Sequence, residues 1–389
     1  MEGFGAPPRI LIIAGSDSGG GAGIQADIKT VTMLGGFAAT AITALTAQNS
    51  LGVQGVMAVP AGFVLQQVDS VLADIGADAI KIGMIGSAEI AHALAERLPA
   101  NVPIVFDPVM VATSGAALAD EATVAAFGRL MRRAAVVTPN VPELEALTGR
   151  TLETVEAVEA AARGLALETK AVVLAKGGHL AGSAVTDLLV SPHGRVRRWE
   201  SERIETRHSH GTGCTLASAV AVHLARGRPV EEAVERARGF VRRAMLAAPG
   251  FGAGHGPMGH AAAGGDEMNL DQVTLPVRDY AASVAFYRLL GLRQIVASDG
   301  HYARFECPGG ATLSIIVEEG ATGSATIGLE SPDLDAWVKR LVADGVAFEA
   351  LPEDKSWGWR EAFLRDPDGH RVMLFSAGEY RRFPPWRIG

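Results

Sequence analysis

Five short β-branched runs, each ending in a polar or glycine-rich stretch, constrain the fold of this chain more than any other feature. They are "RILIIAG" (9–15), "DAIKIGMIG" (78–86), "VPIVFDPVM" (102–110), "AAVVTPN" (134–140) and "KAVVLAKGG" (170–178). Continuous apolar runs of this kind suit strands buried on both faces. Helical patterns lie between and after them, at 24–34, 87–98, 120–133, 142–148, 153–168, 213–226 and 230–247. Strand–helix alternation over about 260 residues predicts a three-layer α/β domain with a mostly parallel sheet. "VTDLLVSPHGRVRRWES" (185–201) predicts an antiparallel hairpin turning at His193–Gly194. The stretches "AGSDSGGGAG", "DPVM", "TPN" and "KGGH" all fall at strand ends, where open α/β sheets bind ligands.

The alternation stops at "PGFGAGHGPMGHAAAGGDE" (249–267), which holds seven glycines between Pro249 and Gly265. It reads as a domain tail running into a flexible linker, with a boundary near residue 265. The expected organisation is a first domain over 1–260, a Gly/Ala-rich linker over 261–267 and a second domain over 268–389. The second domain repeats itself with an offset of 54: Gln272 falls on Thr326, Asp279 on Asp333 and Gly291 on Gly345. Each copy reads as strand, helix and three short strands, which predicts a smaller α+β domain of two βαβββ modules.

Charge and cysteine content narrow the partners. The net charge is −8, and no basic run is long enough for a nucleic-acid or membrane face. No uninterrupted apolar stretch reaches membrane-spanning length. The N-terminus lacks the features of a signal peptide. Two cysteines, Cys214 and Cys307, make no disulfide framework, so a reducing, cytoplasmic setting is expected.

Within the first domain, "HGTGC" runs straight into an Ala-rich helix. The backbone N–H groups of Gly211, Thr212, Gly213 and Cys214 are placed to converge on an anion at a helix N-terminus. A cysteine there is expected to have a lowered pKa and to take the proton of an attacking hydroxyl; alternatively it is a small buried helix residue. His210 is a neighbouring donor or a capping residue. Asn140 and Glu143 form an Asn-x-x-Glu start to a helix, which is ordinary capping chemistry by itself. Asp107 is a carboxylate at a strand end or an Asp-Pro turn. Lys176 ends a strand, where it reaches a phosphate or solvent. "SDSGGGAG" looks like a phosphate loop but lacks the Lys-Ser/Thr ending of a Walker motif.

In this order, "AGSDSGGGAGIQADIKT", "TALTAQNS", "KIGM", "DPVM", "TPNVPE", "AKGGH" and "HGTGCTLASA" resemble the hydroxymethylpyrimidine and phosphomethylpyrimidine kinases of thiamin biosynthesis, in the ribokinase superfamily. The resemblance covers about residues 9–260 and implies a ribokinase-like α/β/α domain. It implies phosphorylation, with ATP and Mg²⁺, of 4-amino-5-hydroxymethyl-2-methylpyrimidine and then of its monophosphate. Cys214 would be the base and Gly211–Gly213 the anion nest. Gly15, Asp27, Gln48, Met84 and Val109 would hold the pyrimidine alcohol, with Gln48 reading the aminopyrimidine edge. Asn140, Lys176 and Thr212 would serve the nucleotide. Glu143, with Asp107, would hold Mg²⁺ partly through water. Residues 111–118 would form a lid. A pyridoxal or pyridoxamine kinase is the alternative within the superfamily, and a ligand sensor on a residual kinase fold is the alternative outside catalysis. A homodimer is expected by analogy.

"VTLPVRDYAASVAFYRLLGL" and "FLRDPDGHRVMLFS" in the second half resemble the glyoxalase and bleomycin-resistance superfamily. Its four metal positions fall here on Gln272, Ser314, Thr326 and Met373. Only Gln272 is a credible ligand, so a metal-free small-molecule binding or accessory module is expected. Trp357, Trp359 and Phe363 either line a cup for a flat ligand or belong to core or interface.

Overall fold

The computed structural model describes residues 6–111, 118–263, 272–298, 300–307, 311–331 and 333–377. The chain divides into two compact units, on either side of residue 266. In the first, the order is β1 (Arg9–Asp17), α1 (Gly23–Met33), β2 (Phe37–Asn49), β3 (Gly52–Ala58), α2 (Ala61–Asp74), β4 (Ala79–Ile82), α3 (Ala88–Arg97) and β5 (Ile104–Phe106). Then come α4 (Glu121–Met131), β6 (Val136–Val137), α5 (Val141–Thr148), α6 (Val155–Thr169), β7 (Val172–Ala175), β8 (Ala184–Val190), β9 (Val196–Glu202), α7 (Thr212–Ala225) and α8 (Val230–Leu246).

The nine strands form one sheet in the order β3-β2-β1-β4-β5-β6-β7-β8-β9. The run from β2 to β7 is parallel, while β3 at one edge and β8 near the other are antiparallel to their inner neighbours. All five predicted runs contribute a parallel strand, and the predicted hairpin is β8–β9. The elements β2, β3 and α2 carry no comparable apolar run; β2 is Ala/Thr-rich and alternates in burial. Alternate residues of β1 feed two cores. Leu11 and Ile13 pack with α2–α6 on one face, and Ile10, Ile12 and Ala14 pack with α1, α7 and α8 on the other. This two-sided burial makes the strand runs continuous rather than alternating.

The glycine-rich segment is packed over its described part. Residues 249–263 pack against the first unit. His255 N–H donates to Ser50 O at 2.8 Å, and His210 N–H donates to Gly256 O at 3.3 Å. Glycine is needed for these approaches: a Cβ on Gly254 would lie 2.1 Å from Ser50 O, and one on Gly259 would lie 1.9 Å from Ala247 O. The segment ends in a short turn, His260–Ala262, held where Arg243 Nε donates to Ala263 O at 2.7 Å. The rest of the expected linker, and residues 112–117 of the expected lid, lie outside the described residues.

The second unit follows its repeat closely. Its first module is β10 (Gln272–Val277), α9 (Tyr280–Leu289), β11 (Arg293–Ser298), β12 (Tyr302–Glu306) and β13 (Thr312–Val317). The second is β14 (Thr326–Glu330), α10 (Leu334–Ala343), β15 (Phe348–Asp354), β16 (Arg360–Arg365) and β17 (Arg371–Ser376). The sheets run β10-β13-β12-β11 and β14-β17-β16-β15. The repeated residues are helix punctuation. Asp279 and Asp333 cap α9 and α10 by accepting from Ala282 N and Ala336 N, and Gly291 and Gly345 turn the chain at φ +96° and +86°. The "DPDGH" turn ties the modules together. Asp366 accepts from Tyr287 Oη at 2.8 Å, Asp368 accepts from Ser283 Oγ at 3.0 Å, and His370 Nε2 donates to Pro276 O at 3.0 Å.

His260 generates a prediction. Its Nε2 lies 2.9 Å from Thr215 Oγ1, and burial, helped by Lys29, pulls its pKa down to about 4. A depressed histidine keeps its full contribution above its unfolded pKa, near 6.5, and loses it as pH falls towards 4. That window corresponds to roughly 3 kcal/mol. Urea unfolding at pH 7 and pH 4.5 should show a smaller acid loss for His260→Gln than for wild type; equal losses would refute the assignment.

Candidate active site

One cavity of about 810 Å³ opens at the carboxyl ends of β1, β5, β6 and β7, against the N-terminus of α7. It is lined by Gly15, Gln48, Met84, Asp107, Val109, Asn140, Glu143, Lys176 and Gly211 to Cys214. Residues spread over some 200 positions of sequence thus converge, because a parallel sheet brings all its carboxyl ends to one edge.

The nest begins at Gly211, the residue preceding α7, with φ +87°. A Cβ there would lie 2.0 Å from Gly21 O, so the nest and the glycine loop after β1 touch backbone to backbone. Asp17 organises that loop. Its carboxylate accepts from Gly19 N at 2.8 Å, Gly21 N at 3.0 Å and Ala22 N at 2.8 Å. His210 Nε2 lies 3.0 Å from Asp17 Oδ2 and 3.0 Å from Gln48 Nε2. Burial raises the Asp17 pKa, but His210 and the backbone donors more than offset it and hold the carboxyl below its ordinary value. Asp17 and His210 are therefore structural parts of this end of the cavity. The sequence signal for Asp17 is an Asp directly ahead of a glycine run.

The other end of the cavity is ionic. Lys176 Nζ donates to Asp107 Oδ1 at 2.8 Å and lies 3.9 Å from Glu143 Oε2. Thr138 Oγ1 donates to the same Asp107 oxygen at 2.8 Å. Asn140 and Glu143 form a reciprocal capping box at the start of α5, at 2.7 and 2.9 Å. Burial pushes the Glu143 carboxyl up to about 7, with Lys176 opposing and Asp107 reinforcing. Burial also raises Asp107, but Lys176 and Lys81 outweigh it and hold that group low. Gly213 leaves room for the pair, since a Cβ would come within 3.2 Å of both Asp107 Oδ2 and Lys176 Nζ.

Two expectations are corrected. Asp27 does not line the cavity. It is fully buried in α1, accepting from Lys81 Nζ at 2.7 Å and Ser218 Oγ at 2.7 Å. Its carboxylate is committed to an internal ion pair rather than to a substrate hydroxyl. Cys214 does not have a lowered pKa. Burial, only partly opposed by Lys81, pushes the thiol up to about 11. Desolvation outweighs the helix terminus here. Lys81 itself had a sequence signal: a lysine inside the apolar run "DAIKIGM" needs a buried partner. Burial lowers its pKa, but Asp27, Cys214 and Asp107 raise it further and keep it charged.

In the second unit, Gln272 is exposed and its Nε2 donates to Thr274 Oγ1 at 3.1 Å. Ser314 is buried with Oγ 2.9 Å from Tyr302 Oη, Thr326 is exposed at the start of β14, and Met373 pairs with Gly328 across β17 and β14. Among the described residues, no group of three or more His, Cys, Asp or Glu is placed to hold a metal ion. Trp359 stacks on Phe375 at 4.8 Å, the Arg371 guanidinium covers Phe363, and Trp357 Nε1 donates to Glu361 at 2.8 Å.

A glycine nest at a helix N-terminus, facing a Lys–carboxylate cluster at the switch edge of a mostly parallel sheet, defines a phosphotransferase site of the ribokinase-like class. Residues 17–259 match the phosphomethylpyrimidine kinase family, and this chain belongs to it. Residues 269–374 match the glyoxalase/bleomycin resistance protein/dioxygenase superfamily. The hydroxymethylpyrimidine/phosphomethylpyrimidine kinase of Streptomyces coelicolor is 47% identical over 264 residues, which is 67% of this chain and 97% of that protein. The thiamine biosynthesis bifunctional protein ThiED of Geobacter sulfurreducens is 46% identical over 260 residues, 66% of this chain. The match spans only 53% of that protein, and 36% of the multifunctional ThiED of Corynebacterium efficiens. Among solved structures, the ADP complex of Bacillus subtilis pyridoxal kinase superposes with a TM-score of 0.62 at 33% identity, over 66% of this chain and 98% of that one. The phosphomethylpyrimidine kinase of Clostridium difficile gives 0.54 at 36% identity, over 61% and 99%. Among the described residues, no helix is long and apolar enough to cross a membrane.

The buried pair yields a stability prediction. Lys81→Met should cost about 3–5 kcal/mol in urea unfolding, because it strands the Asp27 carboxylate. Adding Asp27→Leu should recover much of the loss. If the double variant is no more stable than the single one, the charge is not what Lys81 serves.

Proposed function

We propose that the first unit transfers the γ-phosphoryl group of ATP to the hydroxyl of 4-amino-5-hydroxymethyl-2-methylpyrimidine, and then to its monophosphate. The observation that carries this reading is that the nest, Cys214, Gln48 and the Lys176–Asp107–Glu143 cluster line a single cavity. Gln48, Gly15, Met84 and Val109 form the acceptor end, and Lys176, Asn140 and Thr212 the nucleotide end. The N–H groups of Gly211–Cys214 hold the charge that spreads over the transferring oxygens. As the acceptor oxygen bonds to phosphorus, its proton passes to the Cys214 sulfur and the β–γ bridge oxygen leaves with ADP. A thiol near 11 is mostly protonated at neutral pH, so the reactive fraction grows with pH.

Glu143 and Asp107 supply hard oxygen donors that suit Mg²⁺, and a carboxyl raised to about 7 by burial is one that a cation would stabilise in its charged form. Bound there, largely through water, the ion would neutralise phosphate charge. We further propose that the second unit is a metal-free small-molecule module, since Ser314, Thr326 and Met373 are poor ligands. A homodimer fits the apolar side chains left exposed along β3 and its flanks, Leu51, Val56 and Met57 among them.

Turnover with the pyrimidine alcohol and ATP, followed by ADP release, tests the main reading; preference for pyridoxal over the pyrimidine would overturn it. Cys214→Ala should lower kcat at least about 100-fold with little change in KM for ATP. Wild-type kcat should rise between pH 7 and 9, and this rise should be absent in the variant. Retention of most wild-type kcat would leave Cys214 a packing residue.

The module assignment is tested separately. A chain ending at residue 265 keeps every cavity residue and the packed segment through Ala263, and should retain kinase activity. The intact protein, reconstituted with Ni²⁺, Zn²⁺ or Fe²⁺ and desalted, should carry no stoichiometric ion attributable to Gln272. A tightly bound ion abolished by Gln272→Ala would reopen an enzymatic role for the second unit.

A further inference from the structure

We infer that His210 and Thr46 lock the Gln48 amide in one orientation, so that the acceptor pocket admits a ring edge with an exocyclic donor beside a ring-nitrogen acceptor and rejects the reverse pattern. The inference rests on the acceptor site proposed above and adds what sets its selectivity. His210 and Thr46 are positioning residues in this account.

Proton counting at the two ends of the amide leads there. Asp17 accepts three backbone N–H groups and, as a carboxylate, has nothing to donate. The His210 nitrogen 3.0 Å from it must therefore carry the proton. That same Nε2 lies 3.0 Å from Gln48 Nε2 as the amide is placed. An N–H facing an NH₂ group would be repulsive, so the amide is turned over from that placement, and Gln48 presents its carbonyl oxygen to His210. At the other end, Thr46 Oγ1 lies 3.0 Å from Ser16 O and 3.2 Å from the atom placed as Gln48 Oε1, which becomes the NH₂ nitrogen once the amide is turned over. A hydroxyl has one proton, and a backbone carbonyl can only accept. The Thr46 proton goes to Ser16, and the Thr46 lone pair then accepts from the Gln48 NH₂ group. The count at His210 sets the orientation, and the Thr46 end accommodates it with every proton placed.

The surroundings prevent either neighbour from yielding. His210 is buried, and its ring lies against Gly21 so closely that a Cβ there would sit 2.5 Å from Cδ2. Its backbone is held by Gly256 in the packed glycine-rich segment. With the amide fixed, Oε1 accepts from an amino group on the ring and Nε2 donates to an adjacent ring nitrogen. A 4-oxo ring offers a carbonyl and a ring N–H instead, which opposes acceptor to acceptor and donor to donor.

The full-length chain provides the test. Wild type should favour the 4-aminopyrimidine alcohol over its 4-oxo counterpart by about 100-fold or more in kcat/KM. Thr46→Val, which is nearly isosteric, and His210→Phe should each shrink that ratio about tenfold or more, with KM for ATP unchanged. His210→Gln, which retains an N–H donor, should restore part of it. If these variants slow both alcohols equally and leave the ratio intact, the two residues only support packing and the inference fails. Nitrogen NMR of labelled histidine gives a readout independent of turnover: His210 should be protonated at Nε2, and an unprotonated Nε2 would overturn the orientation. Wild type that phosphorylates neither alcohol would sink the proposed function, while the histidine spectrum still decides the amide.

Discussion

The first unit is organised around one buried ion pair. Lys81 on β4 and Asp27 on α1 are both fully buried, and Ser218 on α7 completes the set. These three elements meet directly beneath the nest, because Ser218 follows Cys214 by four residues and lies on the same helical face. A pair sealed from water contributes little net stability compared with apolar packing, but losing one member is costly. It therefore acts as a register pin. The helix that carries the nest is seated where Ser218 Oγ donates to Asp27, which in turn accepts from Lys81 on the sheet. Gly83 serves the same pin, since a Cβ there would lie 2.7 Å from Lys81 Nζ.

Above the pin, the two ends of the cavity use different physics. The ionic end is a cluster of charges in a desolvated place, and its members perturb one another: Lys176 holds Asp107 low while Asp107 helps push Glu143 up. Such a cluster is sensitive to any charge that enters, which suits a site for polyphosphate. The other end, proposed for the acceptor, has one anchored carboxylate, Asp17, and from it a chain of polar contacts runs through His210 and Gln48 to Thr46. Discrimination between flat rings of similar size needs donors and acceptors held in fixed directions, and a buried network does that better than a loose charge.

The second unit separates fold from chemistry. Its repeated residues are caps and turns, Asp279 with Asp333 and Gly291 with Gly345, and its "DPDGH" turn is spent on joining modules through Tyr287, Ser283 and Pro276. The motifs that make the superfamily recognisable are thus architectural. They specify two βαβββ modules and leave the ligand to other positions.

The sequence by itself determined the two-unit layout, the parallel sheet and the internal repeat, because burial on both faces and helix capping leave periodic local marks. It also marked the glycine turns and strand-end polar residues of the cavity, Gly15, Asp107, Asn140, Lys176 and Gly211 to Gly213 among them, but not Arg203, Arg238 or Arg242, which line it from the loop after β9 and from α8. It did not determine what each charge does. Asp27 and Lys81 are 54 positions apart and Ser218 lies 191 from Asp27, so only the packed structure turned a candidate substrate contact into an internal ion pair. Cys214 sits at a helix N-terminus in the sequence, yet its thiol is pushed up by desolvation, with the charges of Lys81 opposing and of Asp27 and Asp107 adding to it. The glycines of 249–263 read only as the tail of a domain when taken alone. Only tertiary contact with Ser50, Ala247 and His210 shows that they are there to let backbones touch.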